Sequence, residues 1–352
     1  MLNVASELFG GGHGLRTRAM SILAMVAAFN IVAWGFAIMM FHGNAVLLGT
    51  AFLAFSLGLR HAVDADHIAA IDNVTRKLMQ EGKRSVSIGL FFSLGHSTIV
   101  VGLSLMLIAS AAGLRDRLGM LEEFGGIFGA LLSSVFLLAL AAMNFAVLCS
   151  VVRAFRHVRR GGRYEEGDLS LPLVRGGLAR RLFSRLFAMV NRSWYMYPVG
   201  LLFGLGFDTA TEIGLLSISA AGSSRGLDTW TIMVFPALFT AGMTLIDTAD
   251  NVLMVGAYNW SFAKPLRKLY YNITITAISV MVAVLVGGIE VLALLQSQWN
   301  LSGWFWDGIG AIGGNFGLLG FGIVLVFALS WATSMAVYKL RRYDESVIKS
   351  AD

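Results

Sequence analysis

A single cysteine, Cys149, stands in 352 residues. One thiol excludes an internal disulfide framework and any metal site built from several thiolates. Charge is scarce too: 14% of residues are Asp, Glu, Lys or Arg, against roughly 25% in a soluble domain. Neither an HEXXH pair nor a Walker A loop occurs. A zinc protease of that type and a P-loop enzyme therefore lose their main support. What fills the chain instead is apolar: 57% of residues are hydrophobic and mean hydropathy is +0.72. Nearly uncharged runs of about 18 residues or more recur along it, each long enough to cross a ~30 Å hydrocarbon core. The runs do not alternate as barrel strands would. The reading is an all-α polytopic membrane protein, because helices satisfy their own backbone in lipid. No cleaved secretory signal peptide is expected.

Eight spans are expected, near 20–41, 46–73, 86–111, 126–152, 194–221, 229–258, 269–296 and 308–338. Basic residues favour alternate linkers. Arg16 and Arg18 precede span 1, and Arg76, Lys77, Lys83 and Arg84 follow span 2. Lys264, Arg267 and Lys268 follow span 6, and Lys339, Arg341 and Arg342 close the chain. The linker at 297–307 has no Lys or Arg. The positive-inside rule then puts both termini in the cytoplasm. Net charge of +6 arises in these loops, so nucleic acid is not an expected partner; the lipid bilayer is. One long basic linker divides the chain into an N-terminal unit (1–152), a cytoplasmic loop (153–193) and a C-terminal unit (194–352). That loop reads as a solvated segment on anionic lipid, with a regulatory role as the alternative.

Ionisable groups at membrane depth are the informative exception. Span 2 carries His61, Asp64, Asp66 and His67, with Asp72 near its end. Span 3 carries His96, followed by Ser97 and Thr98; span 5 carries Asp208, Thr209, Thr211 and Glu212; span 6 carries Asp247 and Asp250. Such groups are costly in lipid and belong in the bundle interior or a wet cavity. On one continuous helix, His61, Asp64 and His67 would fall within an arc of ~120°. Asp66 would point elsewhere, toward Arg60 or another helix. Two imidazoles and a carboxylate on one face suit a borderline divalent ion such as Ni²⁺, Co²⁺, Zn²⁺ or Cu²⁺, whereas Mg²⁺ and Ca²⁺ prefer oxygen alone. His96 fits either a ligand or a structural hydrogen bond. For Asp208, Glu212, Asp247 and Asp250, metal contact and helix tethering both remain open.

Span 2 resembles span 5, with Gly58 opposite Gly206, and span 3 resembles span 6, with Phe92 opposite Phe239 and Gly95 opposite Gly242. The expectation is an inverted repeat of two four-helix units, with the substrate site between them near the midplane. Spans 1, 4, 7 and 8 would form a lipid-facing shell. The glycine run from Gly308 to Gly322 reads as close helix packing.

RHAVDADHI, FFSLGHSTIV, LGFDTATEIG and GMTLIDTAD, in that order, resemble the four signatures of the nickel/cobalt transporters of the high-affinity nickel permease type. His61, Asp66 and His67 occupy the HX4DH positions, and the resemblance covers essentially the full chain. It implies uptake of Ni²⁺, in some members Co²⁺, across the bacterial inner membrane. It also implies no ATPase subunit, no cofactor and no enzymatic activity. The metal would feed nickel enzymes such as hydrogenase or urease. The family's metal-recognition role passes to His61, Asp64, Asp66 and His67, and His96 joins them as a fifth candidate. Nickel exporters are distant relatives with a histidine-rich loop; only His157 lies in this one, which favours import. Neutral imidazole is the ligating form, so uptake is expected to fall as pH drops through histidine titration. A cobalt-preferring carrier, a metal channel and a metal-dependent membrane enzyme are the alternatives.

Overall fold

A computed structural model describes residues 13–109, 115–159, 190–206, 210–261 and 265–340. Among these residues there is no strand. The helices are α1 (His13–Phe41), α2 (Ala45–His61), α3 (Ala65–Gln80), α4 (Ile88–Ala109), α5 (Arg115–Arg159), α6 (Met196–Phe203), α7 (Ala210–Ser224), α8 (Thr229–Ser261), α9 (Pro265–Trp299), α10 (Trp304–Gly313) and α11 (Phe316–Leu340). Five of them, α1, α4, α5, α8 and α9, are long and apolar enough to cross a membrane alone. The pairs α2–α3 and α10–α11 pass the same test together but are bent by 51° and 76°. The chain is thus a multi-pass helical protein with five to seven such spans. The expected span at 194–221 is two shorter helices, α6 and α7, and residues 207–209 between them lie outside the described residues. The expected boundary at 152 falls inside α5, and most of the basic loop, 160–189, is likewise outside them.

The bend between α2 and α3 corrects the expectation of one continuous helix over 46–73. Ala62, Val63 and Asp64 donate their amides back to Gly58, Arg60 and His61 at 3.2, 3.1 and 2.9 Å, tightening the last turn. Asp64 then turns extended, at φ −63° and ψ 146°, and α3 restarts at Ala65. No proline or glycine occupies 60–65. The cause is tertiary: Gly320 of α11 lies so close that a Cβ there would sit 1.7 Å from the Val63 carbonyl oxygen. Irregular backbone at membrane depth survives only where protein or a wet cavity covers it, and here α11 supplies the cover. Span 8 is therefore not a lipid-facing shell element alone.

Helix α8 is the hub. Two-thirds (67%) of its most apolar window is buried, against 17% for α1, and it packs against α1, α2, α3, α4 and α7. Glycines make those approaches possible, as small residues do in lipid, where helices have no hydrophobic drive to associate. A Cβ at Gly58 would meet the Phe239 carbonyl oxygen at 2.1 Å, and one at Gly242 the Phe55 carbonyl oxygen at 2.6 Å. Helices α4 and α6 cross in the same manner. Gly95 faces the Tyr197 carbonyl oxygen, and Gly200 faces that of Phe92, both at 2.0 Å. The outer face of α1 shows Met25, Ile31, Val32 and Met39 to the surroundings, which suits contact with acyl chains.

A buried polar layer ties α3 to its neighbours. Tyr258 donates to Asp72, and Asn144 donates to Asn73 at 2.6 Å. Asn251 accepts from the Ile88 amide at 3.0 Å and donates to Thr75 at 2.8 Å, so one side chain caps α4 and pins α3. Asp228, exposed ahead of α8, accepts from the side chain and amide of Thr231. Those two bonds hold its carboxyl below the usual range, so the cap stays ionised until pH falls through that lowered value.

Candidate metal site

The break in span 2 builds the site. His61 is the last residue of α2, Asp64 is the N-cap of α3, and His67 lies in the first turn of α3. His96 comes from α4. The three imidazoles form a nearly equilateral triangle, with ring centroids 4.6 Å (His61–His67), 4.7 Å (His61–His96) and 4.9 Å (His67–His96) apart. One ring nitrogen from each lies within 4.8 Å of the others, and all three residues are buried. Phe92 packs edge-on to His67 and Phe239 lies against His61. These two phenylalanines wall the triangle with apolar surface, a role the sequence did not disclose.

Two of the three rings, His61 and His67, turn one nitrogen to a carboxylate, while His96 meets both Glu212 and His61 through Nε2 and leaves Nδ1 without a partner among the described residues. Nδ1 of His61 sits 3.1 Å from Thr211 Oγ1 and 3.3 Å from an Asp64 oxygen. Nδ1 of His67 sits 3.4 Å from both oxygens of Asp247. A carboxylate behind a histidine fixes the tautomer and ring orientation and leaves the other nitrogen for a metal. Accordingly, Nε2 of His67 is buried with no hydrogen-bond partner among the described residues. An orphaned buried nitrogen is costly, and a ligand in the triangle would relieve it. Nε2 of His61 faces Nε2 of His96 at 3.0 Å. Two nitrogens bound at ~2.1 Å and 90° to one ion are ~3.0 Å apart, so that edge matches adjacent corners of a tetragonal or octahedral sphere.

Glu212, in the first turn of α7, supplies the nearest carboxylate. Its Oε1 lies 2.7 Å from His96 Nε2 and 3.8 Å from His61 Nε2. Glutamine at this position keeps the shape but removes the charge. Glu212→Gln is expected to weaken Ni²⁺ uptake by about 10–100-fold, as supporting groups around a metal do. Uptake kinetics at matched membrane abundance read this directly, and an unchanged KM would make Glu212 a helix tether only.

The other candidates divide. Asp66 is half-buried in the first turn of α3, one residue before His67. Arg60 is exposed, and its Nε borders Gly317 together with Asp64. Asp72 belongs to the polar layer with Tyr258 and not to the triangle. Asp250 lies in α8 three residues after Asp247, and its Oδ2 has no hydrogen-bond partner among the described residues. Ser97 is buried with an unpartnered hydroxyl among the described residues, while Thr98 bonds Leu94 and Tyr197 at 2.7 and 2.9 Å. Asp208 and Thr209 lie outside the described residues. Thr211 and Gly317 enter the site's surroundings; the first sits in the polar cluster of span 5, the second in the glycine run of span 8.

Comparison with known proteins decides the family. The model of the family described as high-affinity nickel-transport protein matches residues 47–337. The chain belongs to this family. Its members are transporters, not enzymes. A high-affinity nickel transport protein of Cupriavidus necator is 54% identical over 335 residues, covering 95% of each chain. The nickel transporter NicT of Mycobacterium tuberculosis is 44% identical over 338 residues, covering 92% of this chain and 89% of its own. A relative from Rhodococcus rhodochrous, named as a cobalt transport protein, is 38% identical over 340 residues, covering 94% and 96%. No solved structure matches. This nickel-transport chain therefore carries, in its family-matched region, a buried three-histidine triangle that spacing alone did not reveal.

Proposed function

We propose that the protein imports Ni²⁺ across the bacterial inner membrane as a secondary carrier, with His61, His67 and His96 as nitrogen ligands. The observation that carries this reading is the triangle itself: three buried imidazoles, one with an orphaned inward nitrogen, in a member of a nickel-transport family. Asp64, Asp66, Glu212 and Asp247 balance the ion's charge. No thiolate takes part, so binding stays weak enough for release. Counting α6 and α7 as one span supports a reading with eight spans, and on the positive-inside rule both termini then face the cytoplasm.

The inverted repeat gains support from the glycine crossings. Gly58 and Phe55 of α2 play toward α8 the part that Gly200 and Tyr197 of α6 play toward α4. Phe92 meets Gly200 as Phe239 meets Gly58, and Gly95 meets Tyr197 as Gly242 meets Phe55. Contact equivalence thus pairs Gly58 with Gly200 in place of Gly206. Two units related in this way would rock about the site between them.

Cobalt is the second reading, favoured by the relative from Rhodococcus. The order of metal affinities puts Ni²⁺ above Co²⁺ for one N/O site. Uptake of radioactive ⁶³Ni into cells expressing the protein tests both. Saturable uptake that excess Co²⁺ barely inhibits marks a nickel-selective carrier; strong inhibition marks a dual one. Uptake that rises without saturation would favour a channel.

A further inference from the structure

A basic cavity opens at the end of the bundle that the positive-inside reading turns to the cytoplasm. Its volume is about 900 Å³, within the ~300–1,000 Å³ of small-molecule sites. It is lined by the start of α1, the α3–α4 linker and residues 191–193. Each segment brings cations: Arg18 from the first, Lys83 and Arg84 from the second, Arg192 from the third.

Bonds within the chain hold these walls together. Helix α3 stops in a Schellman turn, where Lys83 donates its amide to Leu78 at 2.8 Å and Gly82 donates to Met79 at 3.0 Å. Gly82 takes φ +76° there, a conformation that favours glycine. Lys77 Nζ donates to the Val190 carbonyl at 2.6 Å, and Lys83 Nζ to the Asn191 carbonyl at 3.0 Å. The two bonds fasten residues 190–191 to the end of α3, and Arg192 follows directly. Lys83 also pairs with Glu81 at 2.8 Å, so its charge is partly answered inside the wall. Arg18, Arg84 and Arg192 are exposed, and a guanidinium fork matches a phosphate through two parallel N–H bonds.

A second observation bears on which phosphate. On α1, Ser21 lines the cavity, and Met25, Phe29, Val32 and Phe36 follow it at helical spacing, all exposed. Residues three and four apart share a helix face, so an apolar track runs from the cavity along the outside of the bundle. Trp194, exposed beside the cavity-lining Ser193, stacks on Tyr195 with ring centroids 4.1 Å apart. Tryptophan and tyrosine gather at headgroup level in a bilayer. An anion site, interfacial aromatics and an apolar track suit a molecule with a charged head and an acyl tail.

We propose that this cavity binds the phosphate of an anionic phospholipid from the cytoplasmic leaflet through Arg18, Arg84 and Arg192, with an acyl chain along Met25 and Phe29. Basic pockets between helices on the cytoplasmic side are where acidic headgroups bind. A soluble phosphate shares the headgroup chemistry but makes no use of the track. The rival occupant is the chain's own basic linker, which also carries Glu165, Glu166 and Asp168.

Thermal unfolding of the purified full-length protein in neutral detergent tests this. Phosphatidylglycerol is expected to raise Tm by several degrees, because a ligand of the folded state stabilises it. Phosphatidylcholine and inorganic phosphate at equal concentration should leave Tm unchanged. In the triple variant Arg18→Gln, Arg84→Gln, Arg192→Gln, the apparent Kd for phosphatidylglycerol should rise at least about tenfold, as loss of several juxtamembrane cations implies. A phosphatidylglycerol with a photoreactive headgroup should crosslink the wild type within 17–22, 82–87 or 191–193, a readout that needs no variant to fold. An equal shift from inorganic phosphate makes the site one for soluble anions and overturns the lipid assignment, as does an equal shift from phosphatidylcholine. Crosslinks confined to other segments overturn it, and so does an undiminished affinity in the variant. No shift with phosphatidylglycerol also overturns it, and is the result expected if the linker's carboxylates fill the cavity. None of these readouts involves Ni²⁺ uptake, so failure here leaves the carrier reading standing.

Discussion

His61→Ala abolishes saturable Ni²⁺ uptake at undiminished membrane abundance. This is the largest functional effect expected of any single substitution in the site. His61 makes more of the site's connections than either partner. Its Nδ1 lies beside Thr211 and Asp64, its Nε2 faces His96, and its ring packs on Phe239. Removal leaves two nitrogens on different helices with no edge of coordination length between them. Loss of an orienting group outside the ligand set costs about 10–100-fold in metal affinity, so loss of a ligand exceeds ~100-fold. Initial-rate ⁶³Ni uptake, paired with calorimetric Ni²⁺ binding to the purified protein, separates binding from turnover. His61→Ala protein that binds and transports as the wild type does would place the ligands elsewhere.

Gly58→Val is the counterpart for stability. A Cβ at this position would stand 2.1 Å from the Phe239 carbonyl oxygen, and that oxygen belongs to backbone that cannot rotate away. Helices α2 and α8 must separate, and overpacking of even ordinary cores costs about 1–3 kcal/mol. The expected result is a clear fall in Tm in detergent and in membrane abundance. Gly242→Val attacks the same crossing from the other side, at 2.6 Å from the Phe55 carbonyl oxygen. The double variant should lose less than the sum, since each substitution already opens the contact the other needs. Gly49→Ala, with nothing within 4 Å, serves as the neutral control. Equal thermal stability for Gly58→Val and that control would refute the close crossing.

The long apolar runs made the helical membrane class legible, because one-dimensional hydropathy is the dominant constraint in lipid. Ionisable residues within those runs marked the histidine cluster for the same reason: His61, His67 and His96 stand out only against uncharged surroundings. The break in span 2 was not legible. Residues 46–73 have no proline, and their pattern supports one helix; the bend answers to Gly320, more than 250 residues away, pressing on Val63. An arc of ligands on a single helix was thus replaced by a cluster assembled from α2, α3 and α4. Asp72, expected only in the polar network that supports the candidate site, is bonded by Tyr258 in the polar layer, a partner 186 residues away that spacing could not name.

The break has an electrical consequence as well. A helix end carries roughly half an elementary charge, positive at the N-terminus and negative at the C-terminus. Here the negative pole of α2 and the positive pole of α3 meet within three residues, Ala62–Asp64. The two poles largely offset each other. Asp64 does not spend its side chain on capping α3, so its carboxylate stays with His61. At this helix junction the local charge is therefore set by side chains such as Asp64 and not by the helix ends.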